Sequence, residues 1–259
     1  MLHSGEEPFL TEHNKSGAIF FAGCNLKCVY CQNYQISNGS GKQVSPETLA
    51  KLFVQLENAG AENIDLVTPT HFANVIIEAI KLYKPKVPVI YNCGGYESAS
   101  KIIELCNYVD IFLFDLKYFD NNLAIKYSSA PNYFYHATQA ILEAIKHKQN
   151  IWHGDQLVQG VAIRHLVLPS HTDDSINILK WLNNNTTFDT PISIMSQYVP
   201  YGKAEQYPEI NRKIKPIEYK IVLNCAQNMK NKYIFVQDIE SATEQMIPDF
   251  DSQTGDFNY

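Results

Sequence analysis

Long apolar runs are absent from this chain. The longest early one, Ala18–Ala22, falls far below the roughly 20 residues that cross a bilayer. The first residues are polar and acidic (His3, Glu6, Glu7), so no signal peptide is expected there. A surplus of positive charge is absent as well: 21 Lys and Arg face 27 Asp and Glu, a formal charge of −6. A polyanion needs counter-charge on its partner, so nucleic acid is a poor fit, with only a local basic patch left open. No internal repeat and no Pro- or Gly-rich linker divides the sequence. The six cysteines also lack the setting of a disulfide framework. The 259 residues far exceed a disulfide-stapled domain, and three of the six cysteines fall within eight residues. These absences lead to the expectation of a cytoplasmic, non-membrane protein whose cysteines bind metal or fill the core.

What is present is an alternation of short β-branched or aromatic runs with longer amphipathic ones. Strands are expected at Gly17–Ala22, Asn63–Val67, Val87–Tyr91, Asp110–Leu116, Val161–Leu168 and Ile192–Tyr198, short and apolar as buried parallel strands are. Helices are expected at Ser45–Gly60, Phe72–Tyr83, Ser98–Cys106, Asn132–Lys146 and Asp173–Asn183, with another inside Pro208–Met229. In the first of these Ser45 caps, Pro46 fits the first turn and Gly60 suits the left-handed position beyond the last. Leu49, Leu52, Phe53 and Leu56 form its apolar stripe. Regular alternation implies a parallel α/β sheet with right-handed crossovers. The six units fit an open barrel and a doubly wound sheet alike, and the pattern does not separate them. Tyr233–Val236 reads as a short extra strand. One domain is expected over 1–240, followed by a polar, acidic tail over 241–259.

The informative segment is Gly23-Cys-Asn-Leu-Lys-Cys-Val-Tyr-Cys-Gln-Asn33, directly after the first expected strand. In parallel α/β folds functional loops gather at strand C-termini. Three thiolates spaced C-x3-C-x2-C on one loop can wrap a compact inorganic centre. A structural zinc site closes with four ligands, often as paired knuckles, and no second pair lies near. A 4Fe–4S cluster held by three cysteines leaves one iron open to a non-protein ligand. Core thiols or an incomplete zinc knuckle are the plainer alternative. Cys93, Cys106 and Cys225 lack such spacing and read as ordinary thiols.

The triplet, with Tyr30 before its last cysteine, resembles the cluster motif of radical S-adenosylmethionine (SAM) enzymes. The resemblance implies that Cys24, Cys28 and Cys31 bind a 4Fe–4S cluster and that SAM chelates the fourth iron. One-electron reduction then cleaves SAM to a 5′-deoxyadenosyl radical, which abstracts hydrogen. It implies a partial (β/α)6 barrel, in agreement with the periodicity, and no catalytic residue beyond the cluster and SAM site. Oxygen sensitivity, and reduced flavodoxin or ferredoxin as electron donor, follow from the same resemblance.

Other strand ends carry the SAM contacts that the resemblance implies, Tyr30 included. Asp115 and Lys117 close the fourth expected strand, and two charges ending an apolar strand are costly unless paired or at a wet mouth. Their Asp-x-Lys pattern is similar to that of pyruvate formate-lyase activating enzymes, where these residues lie beside SAM. Arg164, in Ala-Ile-Arg-His-Leu-Val-Leu-Pro-Ser, resembles an arginine that contacts the SAM carboxylate there, a role that suits a guanidinium. Structural ion pairs at the barrel rim are the alternative for all three. Where the superfamily commonly has Gly-Gly-Glu to hold the SAM amino group, this chain has Val67-Thr-Pro-Thr-His71. Thr68 and Thr70 are the substitute acceptors. His71, Asn92, Tyr96, Gln197 and Tyr198 are candidate substrate-site residues.

The resemblance spans about Gly5 to Tyr201 and is closest to pyruvate formate-lyase activating enzyme-like proteins. It implies an oxidoreductase that activates a glycyl radical enzyme. A radical SAM enzyme modifying a small molecule or peptide is the second reading. A non-catalytic iron–sulfur or zinc-binding module is the third. No second cysteine-rich insert for auxiliary clusters is present.

Overall fold

Residues 1–4, 6–13, 15–39 and 41–239 are described by the computed structural model, so the tail expected over 241–259 lies outside the described residues. The apolar runs become strands of one nine-stranded sheet. In chain order they are β1 (Leu2–His3), β2 (Ser16–Phe20), β3 (Asn63–Val67), β4 (Val89–Cys93), β5 (Ile111–Asp115), β6 (Ile151–His153), β7 (Gln156–Leu166), β8 (Ile192–Met195) and β9 (Ile234–Val236). The helices are α1 (Tyr34–Ser37), α2 (Pro46–Asn58), α3 (Ala73–Leu82), α4 (Ala99–Leu105), α5 (Asn121–Ser128), α6 (Tyr133–His147), α7 (Thr172–Asn185) and α8 (Pro216–Ala226).

From β2 to β9 every strand on the sheet's main path pairs in parallel with the next, without a reversal of order. A doubly wound sheet reverses at a switch point. This one does not, and its two ends curl toward each other, since Phe20 of β2 and Phe235 of β9 line one cavity. No ladder joins those ends among the described residues. The architecture is therefore an open, partial (β/α)6 barrel, with β9 as a further parallel strand. β1 adds antiparallel to β2, and β6 forms a hairpin with β7.

Local chemistry explains most boundaries. Ser45 Oγ accepts the Thr48 N–H at 3.3 Å and Pro46 opens α2, whose Leu49, Leu52, Phe53 and Leu56 are buried as the stripe requires. Pro88 has no N–H for a ladder, so β4 starts at Val89, two residues later than expected. The sixth expected strand stops at Met195 rather than Tyr198. Pro216 at the first turn of α8 confines that helix to the second half of the expected segment.

Alternation along the strands divides the core in two. Phe112 and Phe114 face outward into the layer between sheet and helices, together with Phe53, Ile76, Ile141 and Leu179. Ile111 and Leu113 face inward with Ile90 and Ala162, and meet Phe9 and Leu10 from the segment before β2. That segment crosses the end of the barrel where the strands begin. Leu157 N–H donates to Phe9 O and Asn63 Nδ2 donates to Leu10 O, both at 2.8 Å, and the Phe9 and Phe235 rings lie 4.8 Å apart. With one end sealed, the interior opens at the strand C-termini. No helix among the described residues is long and apolar enough to cross a membrane.

Candidate active site

Gly23, with φ +88°, turns the chain out of β2 into the cysteine loop. Backbone bonds tie this loop to its surroundings. Gly23 N–H donates to Ile36 O (2.8 Å), Lys27 N–H to Ser128 O (2.9 Å), Val29 N–H to Tyr127 O (2.8 Å) and Lys203 N–H to Val29 O (2.7 Å). Asn25 Nδ2 donates to Tyr96 O at 2.5 Å. Helix α5, unforeseen from the sequence, is thus a main brace of the loop. Such outer support is what holds a metal-binding loop in one geometry.

Cys24, Cys28 and Cys31 all line a cavity of about 370 Å3. Burial raises all three thiols, Cys31 to about 12, so none ionises near neutral pH without a bound cation. Donors already face the sulfurs: Leu26 N–H donates to Cys24 Sγ at 3.4 Å, and Ser128 Oγ lies 2.9 Å from Cys28 Sγ. Behind Ser128 a hydroxyl chain continues through Tyr118 (2.7 Å) to Tyr30 (2.5 Å). No three His, Cys, Asp or Glu side chains among the described residues are placed to hold a single metal ion. A cubane offers each thiolate its own iron and so takes sulfurs that stand apart. Three half-buried thiols on one cavity wall, two of them with donors to sulfur, fit a cluster better than a lone ion.

Below the loop a hydrogen-bonded polar layer crosses the barrel. Asp115 Oδ1 accepts Arg164 Nε at 2.9 Å and Oδ2 accepts Lys117 Nζ at 2.7 Å. Arg164 Nη2 donates to Asn92 Oδ1 at 2.6 Å, and Asn92 Nδ2 donates to Asp65 Oδ2 at 3.2 Å. Burial opposes ionisation of Asp115, but Arg164 and Lys117 overcome it and hold the carboxyl at about 2. Glu6 and Glu7, from the sealing segment, also line the cavity. Burial pushes Glu7 up to about 7, against the pull of Arg164, and raises Asp65 well above the usual carboxylate range. Thr68 reaches the cavity from a left-handed backbone, φ +60°, which is costly for a β-branched residue and recurs at functional sites.

The structure brings Tyr30, Thr68, Asn92, Asp115, Lys117, Arg164, Gln197 and Tyr198 to the same cavity as the cysteines. It does not bring Thr70, His71 or Tyr96 there. Thr70 Oγ1 donates to Glu97 at 2.5 Å, His71 is exposed on a short turn, and Tyr96 OH donates outward to Pro131 O at 2.9 Å. Tyr96 serves the site through its carbonyl instead. Arg164 and Asp115 form the ion pair that was the structural alternative, and they do so on the cavity wall. Sequence reasoning passed over Glu6, Glu7, Asp65 and Ser193. The signal for Asp65 was present, as the one acid in the apolar run Asn63–Val67.

Comparisons with known proteins agree with this geometry. The family model of the radical SAM superfamily matches residues 18–182. The uncharacterised protein MJ0674 of Methanocaldococcus jannaschii is 29% identical over 245 residues, covering 90% of this chain and 68% of its own. The pyruvate formate-lyase-activating enzyme of Clostridium pasteurianum is 24% identical over 173 residues, 64% of this chain and 67% of its own. Streptococcus suis SuiB bound to S-adenosylmethionine shares the fold, with a TM-score of 0.56 over 92% of this chain at 13% identity. This chain spans 55% of SuiB.

Proposed function

The chain belongs to the radical SAM superfamily, and from that premise we propose that it abstracts hydrogen from a small molecule or a peptide side chain held inside the barrel. Its cofactors are a 4Fe–4S cluster and SAM. We assign the cluster to Cys24, Cys28 and Cys31, and SAM to the cavity beside them. When bound, the pair supplies an electron to the sulfonium and a 5′-deoxyadenosyl radical for the abstraction. The observation that carries the reading is that the three thiols and the Asp115, Lys117 and Arg164 group line one cavity.

The protein's own part is positioning. The strapped loop holds the thiols, Lys117 and Arg164 offer cations to a carboxylate, and Asp115 fixes both. Phe9 and Leu10 close the far end against water, as radical chemistry requires. A small substrate is favoured by the polar groups deep in the cavity, Glu6, Glu7 and Ser193, for which a glycine backbone has no use. Activation of a glycyl radical enzyme is the second reading, favoured by the similarity to the Clostridium activating enzyme.

The test is anaerobic reconstitution followed by dithionite and SAM. About four irons per chain and 5′-deoxyadenosine are expected. Absence of 5′-deoxyadenosine, with full iron retained by Cys28→Ala, sinks the reading. A glycyl radical doublet in the EPR spectrum of a partner enzyme would favour the activase.

A further inference from the structure

Thr68 follows β3 in a backbone conformation that its own side chain opposes. We propose that the main-chain carbonyl of Thr68 accepts an N–H of the SAM amino group, and that the threonine side chain takes no part in the contact. This rests on the assignment of SAM to the cavity and goes beyond it, since it moves the contact from a threonine hydroxyl to the backbone.

Among the described residues Thr68, Ser129, Asn132 and Ser170 have positive φ without being glycine. Thr68 is the β-branched one, and of these it alone lines the cavity. Its φ of +60° is disfavoured twice, by the branched Cβ and by Pro69, which steers the residue before it toward extended backbone. Such a conformation persists only where its surroundings impose it. Thr68 N–H still donates to Asn92 O at 2.9 Å, which keeps the residue bound to β4. The left-handed turn then takes its carbonyl out of the ladder. Among the described residues no N–H returns to Thr68 O, and its hydroxyl has no partner either. Main-chain polar groups in folded proteins are paired almost without exception, by protein or by water. An unpaired carbonyl on a cavity wall is therefore open to a donor from a ligand.

The chemistry of SAM supplies that donor. A carbonyl can only accept. SAM carries its amino group on the carbon that bears its carboxylate, and Arg164 and Lys117 are the cations that offer to receive the carboxylate. Acceptors beside those cations are already engaged. Asp115 serves both, at 2.9 and 2.7 Å, and Asn92 Oδ1 takes Arg164 Nη2 at 2.6 Å. Thr68 is bonded through its N–H to this same Asn92, while Val67 O before it accepts Phe21 N–H at 3.0 Å, just ahead of the cysteine loop. It thus links the loop that holds the thiols to the layer that holds the cations. Thr70, the other threonine of the segment, donates to Glu97 instead. Glycine reaches this φ without strain, so the backbone shape, and not the threonine, is what the site uses.

The test is anaerobic titration calorimetry on the reconstituted enzyme, with SAM and with the SAM analogue that lacks the amino group. Thr68→Val, which removes the hydroxyl and keeps the branch, and Thr68→Gly, which removes the side chain, should both bind SAM as tightly as the wild type. The carbonyl itself is weakened by replacing Pro69 with lactic acid, which turns the Thr68 carbonyl from an amide into an ester, a poorer acceptor. Proline has no N–H, so the change deletes no donor, and Pro69→Ala controls for the lost ring. Against that control the ester should weaken SAM about fivefold, the worth of one hydrogen bond, and leave the analogue unchanged. Equal SAM affinity for the ester and its control overturns the proposal. If the ester protein does not fold, the side-chain variants decide. A loss of about fivefold in Thr68→Val and Thr68→Gly, absent with the analogue, gives the contact to the hydroxyl and overturns the proposal. A wild type that binds no SAM removes the underlying assignment as well, whereas a loss confined to the variants removes the backbone contact alone.

Discussion

Arg164 and Asp115 face each other in register on β7 and β5, and the guanidinium Nε reaches the carboxylate at 2.9 Å. Neighbouring parallel strands thus place opposite charges side by side within an apolar sheet. Lys117, two residues beyond Asp115 in sequence, takes the other carboxylate oxygen. One carboxylate therefore holds both cations of the cavity in place, which sets where an anionic group of a ligand can be received.

Asp115→Asn removes that counter-ion and leaves two largely buried cations, each with a side chain 16% exposed. Breaking a buried ion pair from one side costs about 3–5 kcal/mol, more than the pair contributes net, because the remaining charge is stranded. Urea denaturation at neutral pH should show a loss of that order. A loss below about 1 kcal/mol would mean that water reaches the layer and solvates both cations.

Ser128→Ala should shift the reduction potential of the cluster without loss of iron. With Cys28 bound as thiolate, the Ser128 hydroxyl at 2.9 Å can only donate to it. Hydrogen bonds to cluster sulfur favour the more negative, reduced state. Losing one, worth about 1 kcal/mol, lowers a one-electron potential by about 40 mV. An EPR-monitored redox titration measures it, and an unchanged potential would show that the hydroxyl turns toward Tyr118 instead.

Gly95→Ala should unfold or severely destabilise the protein. Gly95 has φ +81°, and a Cβ there would collide with the carbonyl oxygen of Asp115 and press on Tyr133 OH. That hydroxyl sits 2.7 Å from Asp115 O and 2.8 Å from Gly94 O, joining the ends of β4 and β5. A backbone clash cannot relax by a rotamer change, so a loss above about 3 kcal/mol is expected. Gly39→Ala is the control, since its φ is also positive, at +94°, but nothing lies within 4 Å. A thermal melt in which both variants lose equally would assign the whole effect to backbone strain.

How much of this could be read beforehand depends on where the information lies. Asn63–Val67 was legible to the residue, because a buried parallel strand is marked by its own side chains. The choice between barrel and doubly wound sheet was not, since strand order is a property of pairing between distant segments. Helix α5 escaped because Asn121–Ser128 buries only Ala124, Tyr127 and Ser128, too few for a periodic stripe. The hairpin of β6 and β7 had a local signal, Gly154-Asp155 between alternating residues, and was still passed over. The cysteines, Asp115, Lys117 and Arg164 stood out as chemistry at strand ends. Glu6 and Glu7 read as plain N-terminal polarity. Only the path of the sealing segment turns them into cavity walls.

Glu97 carries a pH dependence that a single substitution can isolate. It is 4% exposed, accepts the hydroxyls of Thr70 (2.5 Å) and Tyr91 (3.4 Å), and lies outside the cavity lining. Burial lifts its carboxyl from an ordinary 4.5 to about 7. Between those values the unfolded chain has released this proton and the folded chain still holds it, so the site's contribution to stability falls as pH rises through the window. Below about 4.5 and above about 7 it is flat. The full swing is on the order of 3 kcal/mol. Glu97→Gln removes the charge, keeps an oxygen acceptor for the Thr70 hydroxyl on Oε1 and turns an NH2 donor toward the Tyr91 hydroxyl oxygen, which can accept it. The variant should therefore gain on the wild type between pH 5 and pH 8 by up to that amount, in urea denaturation at each pH. Glu7 and Asp65 titrate in both proteins and cancel in the difference. Parallel stability profiles for the two proteins would show that Glu97 ionises at its ordinary value, and that water reaches it behind Thr70.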